Sequence, residues 1–499
     1  MRRIVLLLLF LAYGQKLLAQ ADYGYTNLKK STEILTKAIR YLGTESDTLN
    51  LLITASGLAH ETGHFAKPDL RMDMKETDRI RLYKGSTVFY VENDLNYKGK
   101  DYQRQLFYNA LTDSLYAKDY FSRGRVYRGP LTDRHTPFLE AATAHPAVLL
   151  QMARKNRASL RFIGKEGAVD VMTVSLNGVS MALFIQPSGE LSKASYLDHD
   201  NVYGDNVHQF NYQDYQKTAS YRFPTRFEEY EFGGLRKELT YAYDWQPSYQ
   251  LPTNQVCPAC QVPRPADPLR SFAVKFIGKN LYAIDLTDFN NRVLVLQTGK
   301  SLVVFEAPIS YEVGKNVVQL LRKQFPGKPV SHVFVTHHHP DHAGAIRAFA
   351  EEGATILTSS GNKAFFEKMV GYPHLLAGSG EPFNKPKQTL RFELIDNQRV
   401  FTIGDGSFSV FFTDKTQHTD EYLMAYFPAE KVLFQGDLCF FEPGEESPAS
   451  VREMAVYQLI KEHNLAVDKI YSSWPIHGYK EFGTWSDLMR KVALAEKSK

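Results

Sequence analysis

Near the middle of the C-terminal half, the apolar run Val333-Phe334-Val335 leads straight into Thr336-His337-His338-His339-Pro340-Asp341-His342. No other segment limits the folding options of this chain as tightly. Four potential metal ligands (His337, His339, Asp341 and His342) lie within six positions at the end of a strand-like stretch. His337 and His339 are two apart, so extended backbone projects them to the same side, where both can grip one ion. Asp341 and His342 follow a proline that bends the chain, and they can face a second ion close by. Imidazole nitrogens with a carboxylate suit zinc or a neighbouring borderline metal. With only 15 histidines in 499 residues, chance clustering in a solvated polar loop is a poor rival explanation.

Further candidate ligands follow, each after a short β-type run. His418 lies in Gln417-His418-Thr419-Asp420 behind Ser407–Phe412, Asp437 closes Val432-Leu433-Phe434-Gln435-Gly436-Asp437, and His477 lies in Trp474-Pro475-Ile476-His477-Gly478. The order H-x-H-x-D-H, His, Gly-Asp, Pro-x-His-Gly closely resembles the metallo-β-lactamase superfamily, over about residues 270 to 490. The resemblance implies an α+β protein whose C-terminal part is a four-layer αβ/βα sandwich, with metals at one edge of two packed sheets. It implies that His337, His339 and His418 hold a first metal and Asp341, His342 and His477 a second, with Asp437 bridging them. Two closely spaced cations lower the pKa of a shared water until hydroxide exists near neutral pH, and Asp341 can orient that hydroxide as well as ligate. Zinc is the expected metal, with iron or manganese as alternatives. His338 reads as a supporting residue and His332 as scaffold. Tyr479 and Lys480 are candidates to steer a substrate carboxylate or phosphate, against a reading as solvated surface residues. Relatives often carry an aspartate in the strand before the first motif; Glu306 stands near that position here and can substitute for it.

The rest of the chain sets the context. Met1-Arg2-Arg3, the apolar stretch Ile4 to Ala12 and the small residues around Ala19-Gln20-Ala21 describe a secretory signal peptide over residues 1–21. The expectation is therefore an exported protein without stable membrane insertion, periplasmic if the source is a Gram-negative bacterium. A net charge of +4 with both signs interleaved gives no support for a nucleic-acid partner; the expected partner is a small-molecule substrate. Cys257-Pro258-Ala259-Cys260 reads as a local clip, and Cys439 as a small core residue.

Six prolines between Asp244 and Arg270 mark a linker at 246–270, dividing an N-terminal domain (22–245) from a C-terminal one (271–499). In the first, helices are expected at 28–41 and 146–156, the latter with Pro146 at its first turn. An antiparallel meander follows from 159 to 243, with Asn177-Gly178 as a hairpin turn. Helices followed by long hairpins resemble the half-barrels of periplasmic lipoprotein carriers. In the second domain, strands are expected from 274 to 305 and at 330–335, with helices at 313–325 and 342–352. A decoy lies upstream: His60-Glu61-Thr62-Gly63-His64 matches H-E-x-x-H, but that motif works only on a helix. Flanking glycines and the strand-like Leu51–Ala55 favour a polar strand or loop instead.

Family likeness alone cannot choose the reaction. In the resemblance, an aspartate bridge points to thioester hydrolases, lactonases and phosphodiesterases, whereas one major β-lactamase subclass carries a cysteine in place of Asp437. Hydrolysis of an ester, thioester or lactone is favoured, with β-lactam or phosphodiester cleavage as alternatives. The rival from another class is a non-catalytic envelope ligand-binding protein with a residual metal site. A relic should have lost at least one ligand, whereas this sequence retains a full set.

Overall fold

The computed structural model describes residues 24–45, 51–68, 70–83, 88–97, 100–109, 114–118, 125–128, 135–218, 221–244, 272–376, 390–444 and 447–497. The expected signal peptide (1–21), the expected linker (246–270) and the Cys257/Cys260 pair lie outside these residues. The chain divides into two compact units. The first comprises Met1–His60, Asp73–Asp198 and Asn206–Arg264; the second comprises Glu61–Met72, His199–Asp205 and Pro265–Lys499.

The first unit is built on a 13-stranded sheet whose neighbouring strands pair antiparallel wherever their register is defined. Its helix over 24–42 buries Leu35, Ala38, Ile39 and Leu42, the i, i+3, i+4, i+7 stripe of an amphipathic helix. Helix Pro146–Lys155 begins at the expected proline, and the His145 side chain caps it by accepting from the Ala147 amide. The Asn177-Gly178 turn joins Val169–Leu176 to Val179–Ile185, with φ positive at both residues, as a two-residue hairpin of mirror-image type demands. The sheet also runs well upstream of the expected meander, through Leu51–Thr62, Arg71–Tyr83 and shorter strands to Arg128. Arg71–Tyr83 hides its strand character because two inward positions are charged. Met74, Ile80 and Leu82 are buried, but so are Glu76 and Asp78. Lys237 Nζ meets Glu76 Oε1 at 2.6 Å, the pairing a buried carboxylate requires. Among the described residues no helix is long and apolar enough to cross a membrane.

In the second unit a 7-stranded sheet (Phe272 to Leu394) and a 6-stranded sheet (Arg399 to Thr484) face each other across a shared apolar core. Alternation along each strand sorts side chains between layers. Val303 and Phe305 point into the core between the sheets, while Leu302 and Val304 pack under helices Tyr311–Gln324, Ile346–Glu351 and Lys363–Gly371. In the second sheet, Leu423, Ala425 and Phe427 face the same central core. Tyr422, Met424 and Tyr426 lie against helices Val451–Glu462 and Trp485–Lys497. Strands covered on both faces read as continuous apolar runs, and the result is a four-layer αβ/βα sandwich. Cys439 is buried in the outer core, as expected. One expected element differs: the single helix 342–352 is two short ones, Pro340–Ala343 and Ile346–Glu351. At Gly344 the backbone runs so close to the Ile309 and Pro340 carbonyls that a Cβ would lie 2.4 and 2.6 Å from their oxygens.

Phe305 is fully buried between the sheets, its ring 4.8 Å from Phe427 and 5.1 Å from Phe408. Phe305→Ala should destabilise the C-terminal unit by about 3–5 kcal/mol. Val400→Ala, at an exposed site, should change it by less than about 0.5 kcal/mol. Urea unfolding of the two variants, followed by a probe in this unit, checks the contrast.

Candidate metal centre

Strand Val330–Phe334 lies parallel to Leu302–Phe305 and to Thr355–Thr358, so its C-terminal end opens at the sheet rim with the histidine segment directly beyond it. The strands before His418 (Gly406–Thr413) and Asp437 (Val432–Phe434) belong to the facing sheet. Two ligand-like groups form there: His337, His339 and His418, and His337, His342 and Asp437. His337 Nε2 is 3.1 Å from His418 Nε2 and 3.9 Å from Asp437 Oδ1. The Asp437 carboxylate spans the two groups, with Oδ2 3.0 Å from His418 Nε2 and Oδ1 3.8 Å from His342 Nε2. Asp341 Oδ2 lies 3.4 Å from His342 Nε2. Ligand atoms about 2.0–2.1 Å from one tetrahedral ion stand about 3.3 Å apart, so these spacings match the edges of metal coordination shells.

The surroundings fix which nitrogen of each ring faces the centre. Thr336 Oγ1 donates to Glu306 Oε1 at 2.5 Å, so towards His337 Nδ1, 3.0 Å away, the hydroxyl can only accept. The His337 proton therefore sits on Nδ1 and its Nε2 lone pair points inward. His342 Nδ1 is 3.1 Å from the same Glu306 Oε1 and 3.2 Å from Ser473 Oγ, leaving Nε2 inward. His339 Nε2 donates to the Phe65 carbonyl at 3.1 Å, which leaves Nδ1 as the free nitrogen. Outer partners of this type orient metal-binding imidazoles. Tyr422 does the same for Asp437: its hydroxyl lies 3.0 Å from Oδ1 and accepts from the Asp437 amide at 3.1 Å. Gly436 permits this approach, having φ +66° and room for no Cβ, which would lie 2.1 Å from the Tyr422 hydroxyl.

Electrostatics follow from crowding. Burial and the neighbouring imidazoles push His337 and His339 well below the usual histidine range, so both are neutral and ready to ligate. Burial opposes ionisation of Asp437, but His418 and His342 hold its carboxyl well below the usual range. His342 is buried too, yet Asp341 and Glu306 raise it. Two buried atoms, Asp341 Oδ1 and His342 Nε2, have no hydrogen-bond partner. Polar atoms seldom stay unsatisfied in a protein interior, and divalent ions at these positions would satisfy them. The donor set thus fits the metal.

Glu306 sits where the sequence allowed a substitute for an aspartate. It is fully buried, with φ +82°, and it holds one histidine of each group. Backbone in this region is costly for a non-glycine residue and gathers at functional sites. His338 packs against Phe365, and the His332 Nδ1 meets Ser331 Oγ; neither joins the groups.

His477 does not join them either. The Asn290 side chain accepts from the Ile476 and His477 amides, and this turns the imidazole so that Nε2 meets the Thr287 carbonyl at 2.7 Å. The Lys480 ammonium is engaged by Asp487 Oδ1 at 2.9 Å, and the Tyr479 ring packs on Phe440. Both substrate-steering candidates thus have structural contacts of their own. Two residues outside the expected ligand set stand close instead. Arg452, half-exposed at the start of helix Val451–Glu462, has Nη1 3.9 Å from Asp437 Oδ2. His64, from the H-E-x-x-H segment, has Nε2 3.6 Å from Asp341 Oδ1. Partial desolvation disfavours charge on that ring, which is still 41% exposed, but Asp341 and Glu61 raise it to about 9. The segment is not helical: strand Leu51–Thr62 carries His60, whose Nδ1 is engaged by Asp73, and His64 follows it. A third group, His208, Glu229 and Glu231 in the first unit, lies among cations: Arg236 Nε approaches Glu231 Oε2 at 3.5 Å.

Residues 286–486 match the model of the metallo-β-lactamase superfamily. The C-terminal unit belongs to that superfamily. Among curated relatives, a metallo-β-lactamase type 2 of Elizabethkingia meningoseptica is 31% identical over 159 residues, covering 32% of this chain and 55% of the relative. A metallo-β-lactamase type 2 of Bacillus sp. (strain 170) is 26% identical over 178 residues, 34% of this chain and 60% of the relative. The chain thus spans little more than half the length of these superfamily relatives. Among solved structures, a metallo-β-lactamase from Pontibacter korlensis aligns with 18% identity and a TM-score of 0.33, covering 45% of this chain and 99% of that one.

Removing Glu306 releases one histidine of each group at once. Glu306→Ala should lower zinc affinity by about 10–100-fold, the usual effect of losing an outer partner. Glu306→Gln, which still accepts from His342, should lose less. Competition with a chromophoric chelator measures both.

Proposed function

We propose that this chain is a two-metal hydrolase acting on a small-molecule ester, thioester or lactone. The observation that carries the reading is the Asp437 carboxylate, with one oxygen towards His418 and the other towards His342. His337, His339 and His418 would hold a first ion and Asp341 and His342 a second, with Asp437 offering one oxygen to each. Two divalent ions there, zinc most readily and iron or manganese with the same oxygen-rich bridge, would supply a water acidic enough to ionise near neutral pH and an electrophile for the substrate oxygen.

The protein's own groups support the rest of the chemistry. Asp341 Oδ1 has no hydrogen-bond partner and can orient the attacking water and accept its proton. Glu306, Thr336 and Tyr422 hold the ligating groups in place, so little reorganisation is needed as charge develops. The half-exposed Arg452 guanidinium beside Asp437 suits a substrate that carries a carboxylate near the scissile carbonyl.

Cleavage of a β-lactam is the second reading, favoured by the relatives named as metallo-β-lactamases. The carboxylate at 437 weighs towards esters and thioesters, because it offers a hard oxygen to both ions where a thiolate would bind one. Export from the cytoplasm through the leader at residues 1–21 belongs to the same proposal.

The test is a panel of thioester, lactone, ester, phosphodiester and β-lactam substrates assayed with the zinc-loaded, full-length chain. Measurable thioester or lactone turnover with weak β-lactam turnover is expected. His339→Ala should abolish both metal binding and activity, whereas His60→Ala should leave bound metal unchanged. Efficient β-lactam turnover with the other classes silent contradicts the preferred substrate class.

A further inference from the structure

A second ion of the proposed centre would have Asp341, His342 and Asp437 beside it, while His477 is bonded to the Thr287 carbonyl. A histidine that no family pattern supplies, His64, stands beside Asp341. We propose that His64 is a ligand of the second metal ion, resting on the two-metal reading above.

Three observations point this way. The first is distance: His64 Nε2 lies 3.6 Å from Asp341 Oδ1, too far for a hydrogen bond but close to the edge of one ion's shell. The Asp341 oxygen it faces is the one without a hydrogen-bond partner. The second is orientation. His64 Nδ1 lies 3.1 Å from Glu61 Oε1, which places a carboxylate behind the ring and leaves Nε2 directed at Asp341. Glu306 stands behind His342 in the same manner, with Nδ1 on the carboxylate and Nε2 inward. This carboxylate–histidine arrangement recurs at metal-binding imidazoles, where it fixes the tautomer and raises basicity.

The third observation is that the segment is built into the centre. The Phe65 carbonyl accepts from His339 Nε2, and the Ala66 carbonyl accepts from the Asp420 amide at 2.8 Å. The segment carrying His64 is thus anchored to one ligand of the first group, His339, and to Asp420, two residues beyond another, His418. Its ring centroid is 5.3 Å from that of His339. Gly63 makes the turn possible: φ is +94°, and a Cβ would lie 2.2 Å from the Tyr203 hydroxyl. The His-Glu-x-x-His sequence therefore serves metal binding in a form unlike the helical motif. His64 ligates, Glu61 orients it, and His60 takes no part.

The experiment is metal analysis of the full-length chain equilibrated with buffered free zinc, with a cobalt(II) absorption spectrum as a second readout. Wild type and His477→Ala should each hold two equivalents. His64→Ala should keep the first and bind the second more than about 100-fold more weakly, beyond the 10–100-fold loss that an outer partner causes. Glu61→Gln should fall within that smaller range. The cobalt bands of the second site should change in His64→Ala while circular dichroism shows the fold retained. If His64→Ala binds both ions as wild type does, or if His477→Ala loses the second, the assignment is wrong and the two-metal reading stands. A wild type that holds a single ion overturns both.

Discussion

Inward-facing lone pairs, packed into a buried space, dominate this structure. His337 and His418 present Nε2 atoms to each other at 3.1 Å, beside the carboxylates of Asp437 and Asp341. Burying charged or polar groups without partners costs several kcal/mol each. A neutral imidazole carries one proton, and for His337 and His339 that proton is committed outward to Thr336 and Phe65, while Asp341 and Glu306 favour the charged form of His342. Among the described residues, Asp341 Oδ1 and His342 Nε2 are left without a hydrogen-bond partner. Divalent cations would resolve this conflict, and their binding free energy would be coupled to the order of the whole rim.

The scaffold serves that demand. Two sheets packed face to face bring the ends of three strands to one rim, and only then do residues 81 positions apart, such as His337 and His418, come within contact. Glu306 has the widest reach, because it fixes His342 directly and His337 through the Thr336 hydroxyl. One buried carboxylate thus sets the geometry of both ligand groups. Its positive φ is the local strain such a placement requires.

Much of this was legible in the sequence, and the exceptions have physical causes. The strands of the sandwich show as apolar runs because both of their faces are covered, and the Asn177-Gly178 turn carries its own conformational signature. The ligand-bearing segments show because histidine is scarce and the spacing is tight. Strand Arg71–Tyr83 was hidden because Glu76 and Asp78 occupy inward positions, and their partner Lys237 is remote in sequence. The orientation of His477 depends on Asn290 and Thr287, almost 190 positions away. His64 was hidden for the same reason. Its motif reads correctly as non-helical, but the contact that gives it a role lies with Asp341, and no local pattern reports a contact over that separation.

The most direct test of the account is anomalous diffraction at the zinc edge from crystals of the full-length chain grown with zinc. The account predicts two peaks about 3.5–4 Å apart, with the Asp437 carboxylate between them. The first should be ringed by His337, His339 and His418, and the second by Asp341, His342 and His64. A single peak, or two peaks that do not share Asp437, would contradict it.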